Sequence, residues 1–239
     1  MDNLKVDIYP NEKSPKIFNN KYLEFLTRAH PSVVNVMYVI ITSLGVGYYY
    51  FYHNDNLVQV IGGFFLGVFV WTLAEYLMHR FLYHKIKDAS FNSGVQYLFH
   101  GVHHKYPTDE ARLVLPPVPS LLIASLFFGF FYLIMGSFAF VFASGFLIAY
   151  LGYMNIHYRI HKSSPSRRFN FWWVHHNTHH YEQHDRAFGV SSPLWDYVFG
   201  TMPKKGRRTV YVKTPDQNDD CKTIDNSKNK SRSLEVNGF

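Results

Sequence analysis

Residues 57–78 read LVQVIGGFFLGVFVWTLAEYLM, and the chain runs on without a turn signal into HRFLYH at 79–84. A helix of that length, carrying one carboxylate (Glu75) and no cation, reaches across the roughly 30 Å hydrocarbon core of a bilayer. Two histidines stand where such a helix would emerge. This junction decides the fold: an apolar span that ends in side chains able to hold a metal.

Working outward, HNDN at 53–56 is a turn, and SVVNVMYVIITSLGVGYYYFYH at 32–53 is the preceding span, with an aromatic cluster at 48–52 suited to a membrane interface. Downstream, 79–117 is polar, basic and His-rich and closes on Pro116-Pro117. The stretch 118–156 is apolar throughout and broken near Gly136-Ser137, so it reads as two helices, 118–135 and 138–156, joined by a tight hairpin. Residues 1–30 form a polar leader that lacks a signal-peptide pattern and ends in a candidate interfacial helix. From 204 to 239 the chain is basic and rich in Asn, Ser and Lys, and is expected to be disordered. The resulting class is all-α: a multi-pass membrane protein with four transmembrane helices, a membrane domain over 31–203 and a helical cap.

The charges support this reading. The chain has 24 Lys and Arg and a net charge of +7, yet none of these cations lies between Arg28 and Arg80 or between Arg112 and Arg159. A Lys or Arg at the bilayer centre costs about 2.5–3.5 kcal/mol on insertion scales, so spans exclude them. With four spans every cation falls on one side, which the positive-inside rule makes the cytosol. The basic balance therefore reads as orientation and attraction to anionic lipid, not as nucleic-acid binding. The expected host is the endoplasmic reticulum in a eukaryote or the inner membrane in a bacterium. Cys221 is the sole cysteine, which excludes an intrachain disulfide and a thiolate metal site.

Ten of the 14 histidines fall in four groups, all on the predicted cytosolic side. They are His79 and His84; His100, His103 and His104; His157 and His161; and His176, His179 and His180. On a helix, residues at i, i+3 and i+4 share a face. In each H-x-x-H-H the adjacent pair diverges by about 100°, so neighbours can address different metals. His79 and His84, five apart, would diverge on a straight α-helix; either the helix breaks there or they serve different ions. Ten imidazoles exceed the needs of one ion, and structural zinc wants a closed shell of four. Five ligands per ion leaves room for oxygen, and imidazole suits iron. Two iron ions are the expected occupants, with zinc the alternative in a purified or inactive form.

Other residues draw smaller expectations. Glu75, one turn before His79, is a candidate to accept its second ring proton, since metal-bound imidazoles usually have such a partner. Asp109, Asp185 and Asp196 are candidates for the same role or for surface ion pairs. His175 is an alternative to His176 as a ligand or a candidate to support the ligands, and His184 is a candidate to support them or to face substrate. His53 lies on the opposite side of the membrane. Trp172, Trp173 and Phe188 are candidate walls of an acyl channel.

The runs WTLAEYLMHRFLYH (71–84), YLFHGVHHKYPTDEARLVLPP (97–117) and HHNTHHYEQHDRAFGVSSPLWDYVFGT (175–201) resemble the fatty-acid 2-hydroxylases of the sterol desaturase and fatty-acid hydroxylase superfamily. The similarity extends from about residue 17 to Pro203. It implies a di-metal centre bound by those ten histidines under a four-helix scaffold, and O2-dependent hydroxylation at the carbon next to the acyl carbonyl. Where relatives carry a Tyr-Asp pair before the third cluster, this chain has Tyr153-Met154, so only Tyr153 remains to support the ligands. Lys162 replaces a further histidine common in relatives, and His175 stands where they usually have another residue. Many relatives bear an N-terminal haem domain of cytochrome b5 type, for which 30 leading residues leave no room. The electron donor is therefore expected to be a separate protein: cytochrome b5, a ferredoxin or similar. The competing readings are a sterol desaturase, sphingoid-base hydroxylase or carotenoid hydroxylase, which share the metal chemistry, and more remotely a non-catalytic membrane protein that binds zinc.

Overall fold

A computed structural model describes residues 4–53, 56–84, 96–165, 170–207 and 210–213. Helix α1 (Lys21–Phe25) is capped by Asn20, whose side chain accepts from the Tyr22 and Leu23 amides at 2.9 and 3.4 Å. Its Tyr22 and Phe25 are among the most exposed large side chains, which suits a helix lying at a lipid surface. Helix α2 (Pro31–Tyr52) starts with Pro31 at its first position, where proline's missing N–H costs nothing. Asn56 and Gln59 form a reciprocal capping box that starts α3 (Leu57–Leu77).

The apolar stretch after Pro116 folds back on itself. Helices α5 (Pro117–Met135) and α6 (Ala139–Lys162) flank a 3-10 turn at Gly136–Phe138, and Gly136 has φ of 57°, which favours glycine. Phe131 packs on Phe142 (4.7 Å between ring centroids) and Phe127 on Phe146 (5.0 Å), so the two helices run antiparallel. Three helical stretches are long and apolar enough to cross a membrane, Pro31–Tyr52, Leu57–Tyr83 and Glu110–Lys162, and the third contains this hairpin. Their outward faces are apolar, as at Phe51, Leu126 and Leu133.

Helix α6 is the central element, packed against α2, α3 and α5. Its contact with α3 is backbone to backbone. A Cβ at Gly145 would lie 1.9 Å from the Phe64 carbonyl oxygen, and one at Gly67 would lie 2.0 Å from that of Phe142. Small residues at such a crossing let two helices approach closely in lipid, where dispersion and not water expulsion drives packing. Trp71, Phe142 and Phe146 fill the space beside the crossing.

Two departures from the sequence reading concern the termini. The fold is not wholly helical: β1 (Leu4–Asp7) and β2 (Val210–Lys213) pair in parallel, Leu4 opposite Val210. The second strand lies in the 204–239 segment expected to lack structure; its alternating Val-Tyr-Val supplies strand propensity inside a polar composition. Gln183 also holds this region, donating to the carbonyls of Lys204 (2.8 Å) and Arg207 (3.0 Å). Residues 214–239 lie outside the described residues.

Candidate metal centre

Four elements carry the histidines. Helix α3 continues into a π-helical turn at Met78–Tyr83, with His84 N bonded to His79 O at 3.2 Å. A second π-helical turn, Tyr97–Gly101, leads into α4 (Val102–Lys105). The C-terminal end of α6 carries His157 and His161, and α7 (Asn170–Tyr181) carries the last group.

The π turn resolves the five-residue spacing. Its i→i+5 closure sets residues five apart on one side, so His79 and His84 face the same point. All ten clustered histidines converge, and they divide five and five. His79, His84, His100, His104 and His179 form one group, and His103, His157, His161, His176 and His180 the other, each with ring nitrogens within 4.8 Å of one another. Each H-x-x-H-H is split: its i and i+4 members join one group and its middle member the other. The rings of His104 and His180 stack at 4.0 Å where the two groups meet.

The donor set fits divalent cations. His100 Nε2 lies 3.0 Å from His79 Nε2 and 2.9 Å from His104 Nε2, and it has at most one hydrogen with which to satisfy either. His84 and His179 meet Nε2 to Nε2 at 2.9 Å, as do His161 and His176. Imidazole nitrogens about 2.1 Å from one metal and at right angles about it would stand about 3.0 Å apart. Both ring nitrogens of His103 and of His180 are buried with no hydrogen-bond partner. Buried polar atoms of a protein otherwise find partners, so one nitrogen of each ring is available as a metal ligand.

Protonation agrees. Burial pushes His84, His100, His103, His104, His176, His179 and His180 well below the usual imidazole range, and the crowd of neighbouring imidazoles pushes them further the same way. At neutral pH these rings are uncharged, which is the form of imidazole that binds metal.

Backbone carbonyls fix the tautomers. His79 Nδ1–H donates to the Phe188 carbonyl (2.5 Å) and His179 Nδ1–H to that of Arg186 (2.7 Å), which turns Nε2 of both rings toward the first group. The segment that presents these carbonyls is itself clamped. Asp196, on α8 (Leu194–Val198), accepts from the amides of Phe188 (3.0 Å) and Gly189 (2.8 Å), from the Thr201 hydroxyl (2.6 Å) and from His175 Nε2 (3.1 Å). Burial alone would raise the Asp196 pKa; the hydrogen bond from His175 and the other three outweigh it and hold it below the usual carboxylate range.

Several single-residue expectations need correction. Glu75 does not take the His79 proton. It accepts from the amides of Val190 (2.6 Å) and Ser191 (2.9 Å), from the Ser191 hydroxyl and from Trp71 Nε1 (3.2 Å), so it anchors the same 188–191 segment. His175 joins neither group, because its ring is turned to Asp196. Asp185 takes the ion-pair alternative: half exposed, it pairs with Arg207 at 2.8 Å. Asp109 accepts from the Ser14 amide and hydroxyl instead of supporting a ring. Tyr153 stacks on the His157 ring at 5.8 Å. His184 lies beside the first group, 4.9 Å from His104 between centroids, with Nδ1 bonded to the His179 carbonyl. No residue-type signal marks the carbonyls of Arg186 and Phe188, since every residue has one.

A narrow cleft of about 70 Å³ opens against both groups. His79 and His100 of the first and His103 and His157 of the second line it, with Trp71 and Tyr150 among its walls. The tryptophans expected there lie elsewhere: Trp172 donates to the Ser191 carbonyl and Trp173 to that of Ser163. Phe188 packs on His79, His84 and His179.

A bundle of apolar helices that ends in paired five-histidine clusters around an apolar cleft defines a class: membrane proteins with a histidine-built metal site. Comparison narrows the class. Residues 64–201 match the family model described as fatty acid hydroxylase, and the chain belongs to that family. It is 40% identical over 147 residues to the fatty acid 2-hydroxylase of Rattus norvegicus, covering 59% of this chain and 40% of that one. It is 32% identical over 201 residues to the dihydroceramide fatty acyl 2-hydroxylase FAH1 of Arabidopsis thaliana, covering 80% of this chain and 81% of that one. The chain thus spans well under half the length of the rat relative and most of the plant one. Among solved structures, full-length scs7p, with only its hydroxylase domain visible, superposes with a TM-score of 0.72 at 30% identity, covering 83% of this chain and 75% of that one.

Proposed function

We propose that this protein hydroxylates a fatty acyl chain at carbon 2, with two iron ions held by the ten clustered histidines, using O2 and electrons from a separate donor protein. The observation that carries this reading is the cleft that, among the described residues, touches both five-histidine groups. The names of the rat and plant relatives support the position of attack. Bound there, iron would supply with O2 the oxidising power to convert C–H to C–OH, a two-electron oxidation that acid–base side chains cannot perform.

The chain's own residues do the rest. Helices α3, α4, α6 and α7 hold the rings rigidly, because ligands at the ends of packed helices inherit the bundle's stiffness. The carbonyls of Arg186 and Phe188 keep His79 and His179 in the tautomer that offers Nε2. Trp71 and Tyr150 give the cleft an aromatic wall against which methylenes of the substrate could pack. We further read the hairpin of α5 and α6 as two crossings. That gives four spans, places the histidines on the cytosolic face and lets substrate enter sideways from lipid.

The test is expression in cells that lack 2-hydroxylated lipids, with mass spectrometry of hydroxy fatty acids after lipid hydrolysis. A 2-hydroxy acid should appear with the wild type and vanish with His103→Ala, while the variant still inserts. A sterol, sphingoid-base or carotenoid product in place of the 2-hydroxy acid would overturn the substrate and keep the centre.

A further inference from the structure

A hydroxylase that attacks carbon 2 must measure from the head of its substrate. The methylenes of an acyl chain are chemically alike, and an apolar wall discriminates poorly between one register and the next. The metal-facing histidines cannot supply that measure, because they hold ions. A polar group in the same cleft has to grip the carbonyl.

Among the residues lining the cleft, Arg112 carries a permanent charge. Its side chain is 2% exposed. One nitrogen of the guanidinium is occupied: Nη2 donates to Glu24 Oε1 (2.7 Å) and to the Pro15 carbonyl (3.1 Å), while Nε lies 3.8 Å from Asp109 Oδ2, beyond hydrogen-bond reach. Nη1 and Nε are both buried with no hydrogen-bond partner. Glu24 and the Pro15 carbonyl therefore hold the guanidinium at Nη2, and its other N–H groups are left for an incoming acceptor. Glu24 is in turn held by the amides of Ile17 (2.9 Å) and Phe18 (3.2 Å) and by Arg28 (3.0 Å), so the anchor is tied to α1, whose exposed aromatics mark the lipid surface.

We infer that Arg112 Nη1 binds the acyl carbonyl oxygen of the substrate and sets which carbon faces the metal-binding histidines, an inference that rests on the acyl-hydroxylase reading above. The shared chemistry is an acyl oxygen, carried either by a free carboxylate or by an amide. The carboxylate gains more, since both partners are charged.

The test is equilibrium binding to the purified full chain in detergent. The probes are palmitate, N-palmitoyl dihydrosphingosine and hexadecanol, which has the same chain length and no carbonyl. Wild type should bind at least one of the two acyl probes about tenfold or more tightly than hexadecanol, the weight of one charge-assisted hydrogen bond. Arg112→Lys should erase that preference with metal content unchanged, because a lysine's flexible point charge turns to Glu24 and Asp109. Glu24→Gln, which keeps an acceptor for Nη2, should preserve the preference. In turnover, Arg112→Lys should spread the hydroxyl to carbons beyond 2. Equal binding of all three probes by wild type, an unchanged preference in Arg112→Lys, or the same loss in Glu24→Gln would overturn the anchor. An Arg112-dependent preference in a chain that makes no 2-hydroxy product would refute the reaction and leave the anchor standing.

Discussion

His179 and His180 are neighbours in sequence and serve different groups, because adjacent positions on a helix diverge by about 100°. Alanine at either should therefore remove one metal and spare the other. We expect metal per chain to fall by about half in His179→Ala and in His180→Ala, and hydroxylation to disappear in both. Elemental analysis of the purified variants checks this; complete metal loss from either single variant would mean that the groups are one site. The depressed basicity of the rings gives a second prediction. His184 is pushed down to about 4 by burial, although its bond to the His179 carbonyl opposes this, and the buried cluster histidines are lowered too. Unfolded imidazole titrates near about 6.5. In chelated protein the unfolded chain thus takes up protons that the folded one refuses, so stability should fall as pH drops through about 6.5 toward about 4. A thermal midpoint that stays constant between pH 7 and pH 5 would contradict this assignment.

At the scale of elements, two features position the site: the α3–α6 crossing and the clamp on residues 186–191. Gly145→Val should force the helices apart, since a Cβ there would sit 1.9 Å from the Phe64 carbonyl oxygen. Overpacking of this kind costs about 1–3 kcal/mol, read as a lower thermal midpoint in detergent together with loss of activity. Asp196→Ala tests the clamp. It removes the acceptor of the Phe188 and Gly189 amides and frees the carbonyl that orients His79. Metal affinity of the first group should drop by about 10–100-fold, the usual effect of losing a supporting partner, while the second group keeps its metal. Equal weakening of both groups would show that Asp196 stabilises the fold generally. The helix periods and turns were legible in sequence, because apolar length, prolines and the Gly136 break are local signals. The π turn was not. A five-residue spacing states only that a straight α-helix fails, and the i→i+5 closure depends on what both rings must reach.

At the scale of the molecule, four crossings would place the turns at 56 and 137 on one side and every cation on the other. Cys221, the single cysteine, makes this measurable. Ser137→Cys in a Cys221→Ser background should react with a membrane-impermeant thiol reagent applied from outside the cell or the lumen. Native Cys221 should react only after the membrane is opened. The reverse pattern would invert the topology, and reaction of both from one side would reduce the α5–α6 hairpin to a re-entrant loop.

The sequence alone determined the apolar helices, the segments in which charge gathers and the ten histidines that cluster. Each of these is written in residue type and short-range spacing, through hydrophobic length, the cost of a buried cation and the 3.6-residue period. Only the tertiary structure decided the partition into two groups of five, the partners of Glu75 and His175, and the carbonyls that set the tautomers. These depend on contacts between residues up to 116 positions apart, as between Glu75 and Ser191, and on backbone atoms that every residue shares. Packing chooses among such partners by geometry, and the sequence records no geometry until the chain has folded.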